Sequence, residues 1–444
     1  MFRRVGLVLL PIVFAIAHAS AAPPKVVITS PDNGEIDVDP AMRQIQVDFD
    51  QPMDPESFSV VGGGPEFPNI TGKLKWLTPK TLAIPVSLKP GQEYTLSLNN
   101  DTLKGFRNRA GEPAGWYPVH FKTRASGAKV AKPNVTPEQN KAALAELRKA
   151  IDDNYGYRDR LKVDWAKEID QRQATFESAT SANEFARLAA HLLRLAEDGH
   201  VSVEAGEVRI ATRANSAPPN SNFQSISKLT PGMKEHGNDV FSAKLDDGAG
   251  YILLANCSKR SADAFDNALD ELKGTTALIL DLRMNGGGDE LAARQVAGRF
   301  VEQAAIYSKN RIREEGKWTG PLARAVEPRP DATRYDKPVV VLTGAKIVSS
   351  AESLVLMMKH GAGAKLIGDT TGGSSGRPVP HDLGNGVTVY LSSWEDQLPD
   401  GTVLEGHGVQ PDIVVQTNPD QLANADPVLD AARKYIRGKL AAAR

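Results

Sequence analysis

The feature that most narrows the fold is an alternation that begins near residue 250. Short apolar runs at 251–255, 277–280 and 339–342 are separated by stretches with helical spacing at 262–272, 291–301 and 351–359. Apolar runs this short, set between helical stretches, read as strands buried on both faces. Strands alternating with helices stack as α/β layers, and further strands at 365–367 and 387–391 extend the pattern. The chain has 444 residues. At roughly 100–200 residues per domain it holds two to four of them, so this unit does not stand alone.

The preceding segments differ in kind. Residues 1–21 carry Arg3 and Arg4 ahead of an apolar stretch, then two small-x-small sites, Ala17-His18-Ala19 and Ala19-Ser20-Ala21. This is the pattern of a secretory signal, too short to span a membrane. Residues 25–124 show several short, mostly alternating runs separated by Gly, Pro and Asn, which predicts an all-β sandwich. A linker at 125–135 follows (ASGAKVAKPNV). Residues 136–204 read as helical. Thr136-Pro137-Glu138-Gln139 and Ser181-Ala182-Asn183-Glu184 form capping boxes, and the second helix runs to Asp198-Gly199-His200. Residues 205–245 look irregular, and the α/β unit is assigned to 205–440.

Composition excludes several partners. The chain has 53 basic and 54 acidic residues and no dense basic run, so nucleic acid is not expected. Loss of the signal removes two positive charges and shifts the net charge from -1 to -3. Cys257 is the single cysteine, so there is no intrachain disulfide and no cysteine-rich metal site. Its surroundings suit a small buried hydrophobe. No metal or cofactor is expected, no later stretch is long and apolar enough to cross a membrane, and the oligomeric state stays open.

Five segments could carry chemistry. Asp281-Leu282-Arg283-Met284-Asn285-Gly286-Gly287-Gly288 follows a buried strand, and its glycines can point amides at an anion, an oxyanion or nothing more than a turn. Ser349 and Ser350 open a helix in Val348-Ser349-Ser350-Ala351-Glu352, where a serine either caps the helix or serves as a nucleophile. His200 in Asp198-Gly199-His200 titrates near neutrality and can act as a base or a plain surface residue. Glu405-Gly406-His407-Gly408-Val409-Gln410-Pro411-Asp412 offers a carboxylate to orient a base. Gly368-Asp369-Thr370-Thr371-Gly372-Gly373 is a flexible turn.

In this order, the five segments resemble the S41 peptidases, the tail-specific or C-terminal processing proteases, and their relatives in the tricorn core and the interphotoreceptor retinoid-binding protein. The resemblance covers about residues 138–440. The stretch Ser30-Pro31-Asp32-Asn33-Gly34 with Phe49-Asp50-Gln51-Pro52-Met53-Asp54 resembles bacterial Ig-like repeats. The implied architecture is an N-terminal Ig-like sandwich, a helical subdomain and a ClpP/crotonase-like α/β peptidase core. No PDZ domain is expected, because only 50 residues separate His200 from Tyr251.

By this resemblance Ser349 is the nucleophile. One branch of the family uses a lysine 25 residues later, where this chain has Ser374. The tricorn-like branch uses a histidine and a glutamate, which map to His200 and Glu405. A serine precedes that histidine in tricorn and relays to the glutamate; here Gly199 takes its place, and Asp198 is an alternative support. The oxyanion donors map to the amides of Gly287 (or Gly288) and Ser350. The implied activity is an exported serine endopeptidase acting on proteins or peptides. The alternative is a non-catalytic member of the same fold that binds a hydrophobic ligand or a protein. A crotonase-type acyl-CoA enzyme and a surface adhesin built on the Ig-like module are more distant readings.

Overall fold

In a computed structural model the described residues are 23–442, apart from 32, 34, 101, 126–133, 207, 214–217, 238 and 419–420. The expected signal sequence and most of the expected linker therefore lie outside the described residues. No helix among the described residues is long and apolar enough to cross a membrane.

Residues 26–123 form two facing β-sheets. One contains Val26–Ser30, Gln44–Phe49, Thr81–Ser87 and Asn69–Ile70, with Lys75–Trp76 beside Thr81–Ser87. The other contains Glu35–Val38, Tyr117–Thr123, Glu93–Leu98 and Val60–Val61. Gln44–Phe49 alternates one residue in, one out, so Ile45, Val47 and Phe49 reach the core shared with Leu96, Val119 and Phe121. That alternation is what a strand with one buried face requires.

The helices begin at Pro137–Asn154, where the expected capping box forms in full between Thr136 and Gln139. The second box forms only by half. Ser181 caps Glu184, but the Glu184 side chain turns back to the N–H and hydroxyl of Thr180. This helix ends at Leu193, earlier than expected, and a short 3₁₀ turn carries the chain to Asp198. A small sheet covers the helices, with strand Ser202–Ala205 pairing antiparallel to Val387–Ser392. Residues of the helical segment and of the 383–391 stretch thus share one core.

The expected α/β layers are present. Seven strands run in the order Lys234–Gly237, Val240–Lys244, Gly250–Leu254, Leu278–Asp281, Val339–Thr343, Lys365–Gly368 and Ile413–Val414. The last five are mutually parallel. Helices Lys259–Glu271, Glu290–Ala297 and Ser350–His360 pack on one face, and Pro427–Ala442 on the other. Residues 205–245 are not irregular. They contain strands Val208–Ala211, Lys234–Gly237 and Val240–Lys244 and a helix, Phe223–Leu229. Masked by polar residues such as Lys234, Glu235 and His236, the edge strand lacks the apolar run that marks a buried one. A hairpin of Ala305–Glu314 and Lys317–Val326, also not anticipated, joins Trp394–Gln397 in a third sheet.

Under the parallel strands lies a buried ion cluster. Arg283 is inaccessible to solvent and holds Asp281 through Nε (3.0 Å) and Nη2 (2.7 Å), and Asp426 through Nη1 (2.8 Å) and Nη2 (2.7 Å). Nη1 also donates to Asn220 O, and Tyr251 OH donates to Asp281. Every charge in the cluster is paired, which is the condition for tolerating buried ions. Asp426→Ala breaks one of the two buried ion pairs of Arg283 and leaves an N–H on each of Nη1 and Nη2, and that of Leu429, without its acceptor. We expect a destabilisation of about 3–5 kcal/mol, read as a lower denaturation midpoint of the α/β unit; an unchanged midpoint contradicts this account.

Candidate active site

Ser349 stands between strand Val339–Thr343 and helix Ser350–His360 with φ 59° and ψ -133°. A non-glycine residue in a sparsely populated region costs on the order of 1–3 kcal/mol and survives only where the surroundings impose it. Here the Ser349 N–H donates to Ser374 O at 2.7 Å, and the Ser349 carbonyl accepts from Glu352 N at 2.8 Å. The Ser349 side chain makes no capping hydrogen bond, and among the described residues its Oγ has no partner at the positive end of the helix.

The glycine loop packs directly on this turn. A Cβ on Gly287 would sit 2.8 Å from Ser349 Cβ and 3.1 Å from Ser350 N, and Gly287 itself has φ 96°. Only glycine meets both demands. Asn285 organises the loop: its Oδ1 accepts the Gly287 N–H at 2.9 Å and its Nδ2 donates to Leu254 O at 3.1 Å. Gly288 O accepts from Ser350 Oγ at 2.6 Å. Cys257 N donates to Gly287 O and Asp289 N to Cys257 O, leaving the Gly288 amide between them. Of the three amides expected to face an oxyanion, that of Gly287 is therefore engaged by Asn285. Those of Gly288 and Ser350 have no partner among the described residues.

His200 arrives from the helical side. Asp198 Oδ1 accepts the His200 N–H at 2.8 Å, and Asp198 Oδ2 accepts from Ser392 Oγ (2.7 Å) and Tyr155 OH (3.2 Å). His200 Nδ1 lies 3.1 Å from Ser374 Oγ and 3.9 Å from Asp198 Oδ1. Burial lowers the His200 pKa, partly opposed by the charge of Asp198. No hydrogen bond joins His200 to Ser349 Oγ or to Glu405.

Glu405 is buried. Its Oε2 accepts from Ser375 N at 2.8 Å, and its Oε1 has no partner among the described residues. Burial, then the neighbouring Asp198, push the Glu405 carboxyl up to about 9. Atoms of Asp198, His200 and Glu405 all lie within 4.8 Å of one another, a spacing that one cation could bridge. The Asp198 oxygens already accept three hydrogen bonds and His200 Nδ1 faces Ser374, so the trio is already organised as a hydrogen-bonded cluster.

Two contributors escape sequence reasoning. Glu352 is buried and reaches across to the 371–374 segment, accepting from Thr371 Oγ1, Gly373 N (2.8 Å) and Ser374 N (2.9 Å). Thr371 Oγ1 in turn accepts from Val409 N at 2.7 Å. Burial pushes the Glu352 carboxyl up to about 7, against the pull of those donors. The helix that carries Ser349 is thus fastened to two of the other motif segments. Ser374 joins them to the histidine, and its only sequence signal is its place 25 residues after Ser349. A cavity of about 740 Å³, lined by residues such as Arg124, Glu184 and Asn385, contains none of these groups.

Residues 248–415 match the profile of peptidase family S41, and residues 20–123 that of a bacterial Ig-like domain. The chain is 27% identical over 230 residues to a chloroplastic C-terminal processing peptidase of Tetradesmus obliquus, covering 49% of this chain and 47% of that one. It is 26% identical over 208 residues to a carboxy-terminal-processing protease of Bartonella bacilliformis, covering 44% and 46%. It therefore spans less than half the length of either relative. A crystal structure of a candidate peptidase from Parabacteroides merdae superposes with a TM-score of 0.59 at 26% identity, over 68% of this chain and 97% of that one. The chain thus carries a peptidase family S41 domain behind a bacterial Ig-like domain.

Proposed function

We propose that this chain is an exported serine endopeptidase of the histidine-using type, with Ser349 as nucleophile, His200 as base and Glu405 and Asp198 behind it. The observation that carries the reading is the strained Ser349 turn. It presents its hydroxyl beside the amides of Gly288 and Ser350, which have no partner among the described residues, and its N–H is bonded to Ser374, whose hydroxyl faces the His200 ring. Position 374 offers no lysine, which argues against a serine–lysine pair.

In this mechanism Ser349 Oγ attacks a peptide carbonyl while His200 Nε2 takes its proton. Catalytic hydrogen bonds are commonly long in the free enzyme and shorten with substrate, so a Ser349–His200 contact forms on binding. The Gly288 and Ser350 amides hold the oxyanion, with Gly287 shaping the turn. Each such donor contributes roughly 2.7–4 kcal/mol to the transition state. His200 returns the proton to the leaving amine, and water attacks the ester to release the acid and restore Ser349. The Asp198 charge favours the imidazolium. Glu405, raised to about 9, holds its proton near neutrality and acts as a hydrogen-bonding neighbour rather than a second charge. The signal pattern at 1–21 supports export, to the periplasm or the exterior.

A fluorophosphonate probe tests the nucleophile. The adduct is expected on Ser349, located by mass spectrometry of the digested protein, and Ser349→Ala should abolish labelling and cleavage of unfolded casein. Labelling elsewhere, or full cleavage by Ser349→Ala, would sink the assignment. An unlabelled but ligand-binding protein would favour the non-catalytic alternative.

The pH dependence follows from the sign of the His200 shift. The base must be neutral, and burial lowers its pKa, so the neutral form persists to lower pH than for a free histidine. The acidic limb of the labelling rate should therefore fall below the ordinary value of about 6.5. A limb at or above that value contradicts the burial of His200.

A further inference from the structure

Ser374 makes three contacts that no other residue at the site combines. Its N–H donates to Glu352 Oε2 at 2.9 Å, its carbonyl accepts the Ser349 N–H at 2.7 Å, and its hydroxyl lies 3.1 Å from His200 Nδ1. The hydroxyl also occupies space beside residue 199, where a Cβ would approach it to 2.9 Å. Gly199 is therefore the counterpart of Ser374: the missing side chain of one makes room for the hydroxyl of the other.

A neutral imidazole carries one proton. To accept a proton at Nε2 it must hold that proton on Nδ1, and the Nδ1–H needs an acceptor. Asp198 Oδ1 is 3.9 Å away, outside hydrogen-bond range, and Glu405 makes no hydrogen bond to the ring. Ser374 Oγ is the only acceptor within range among the described residues.

We infer that Ser374 is the positioning residue of the base: its hydroxyl accepts the His200 Nδ1–H when the ring works as a base, supporting the tautomer with Nε2 free, while its carbonyl holds the Ser349 turn. One residue thereby sets the spacing between base and nucleophile, and Glu352 fixes that residue in turn. The inference rests on the Ser349–His200 reading above and extends it.

The test compares Ser374→Ala, Ser374→Thr, Gly199→Ser and Ser374→Ala/Gly199→Ser. The readouts are fluorophosphonate labelling and the ¹⁵N spectrum of His200 above its pKa. Ser374→Ala should slow the saturated labelling rate by about 10- to 100-fold, the scale of a displaced catalytic group, with little change in the probe concentration at half saturation. Its His200 should move from the Nδ1–H toward the Nε2–H tautomer. Ser374→Thr restores a hydroxyl and should recover most of the rate. Gly199→Ser alone should impair labelling by crowding Ser374, and in the double variant its hydroxyl takes the vacated place, so the double variant should label faster than Ser374→Ala.

A Ser374→Ala enzyme with wild-type rate and tautomer overturns the inference. A slowed Ser374→Ala that keeps the wild-type tautomer, and that Ser374→Thr fails to rescue, overturns it too, because that is the mark of a purely structural role. These results are separable from failure of the reading itself, which would appear as undiminished labelling of Ser349→Ala.

Discussion

The buried Arg283 ion cluster is the constraint on which the peptidase unit depends. A guanidinium without solvent contact is tolerable only with its charge matched and its donors satisfied. Asp281 meets that need from the end of its own strand, and Asp426 from the start of the C-terminal helix. The cluster pins the last helix beneath the sheet and fixes the point where the chain leaves strand Leu278–Asp281. Two residues further on, Asn285 converts that fixed exit into the glycine turn against Ser349. The motif therefore divides into a structural half, Asp281 and Arg283, and a half that shapes the site.

Glu352 plays the matching part on the Ser349 helix. Its carboxylate gathers Thr371, Gly373 and Ser374, and Thr371 passes the connection on to Val409. Segments separated by tens of residues thus meet at one buried acid. This explains why a glutamate must stand three residues after the serine: it lies one helical turn along and faces inward. The motif acid Asp412 is likewise structural, receiving the Leu366 N–H at 2.9 Å.

The fold was legible where pattern and burial coincide. Apolar runs such as 277–280 lie in strands covered on both sides, and the α/β layering followed from them. Alternation in Gln44–Phe49 marked a one-sided strand of the sandwich. The reading failed at 205–245 and at the Ala305–Glu314 hairpin, whose strands carry lysines, arginines and glutamates. Edge and arm strands need only backbone pairing, which leaves little trace in side-chain pattern.

In the sequence, the order of five segments and their resemblance to the S41 peptidases nominated Ser349, His200, Glu405 and the glycine loop; taken singly, each segment also allowed a plain structural reading. The roles of their neighbours were decided only by the tertiary structure. Gly287 and Gly288 look alike in the chain, yet Asn285 takes the amide of the first and leaves that of the second. Ser374 looks like the absence of a lysine until the fold brings it to His200 across 174 residues of chain. The reason is physical: a hydrogen bond depends on distance and direction between groups whose separation along the chain carries no information about either.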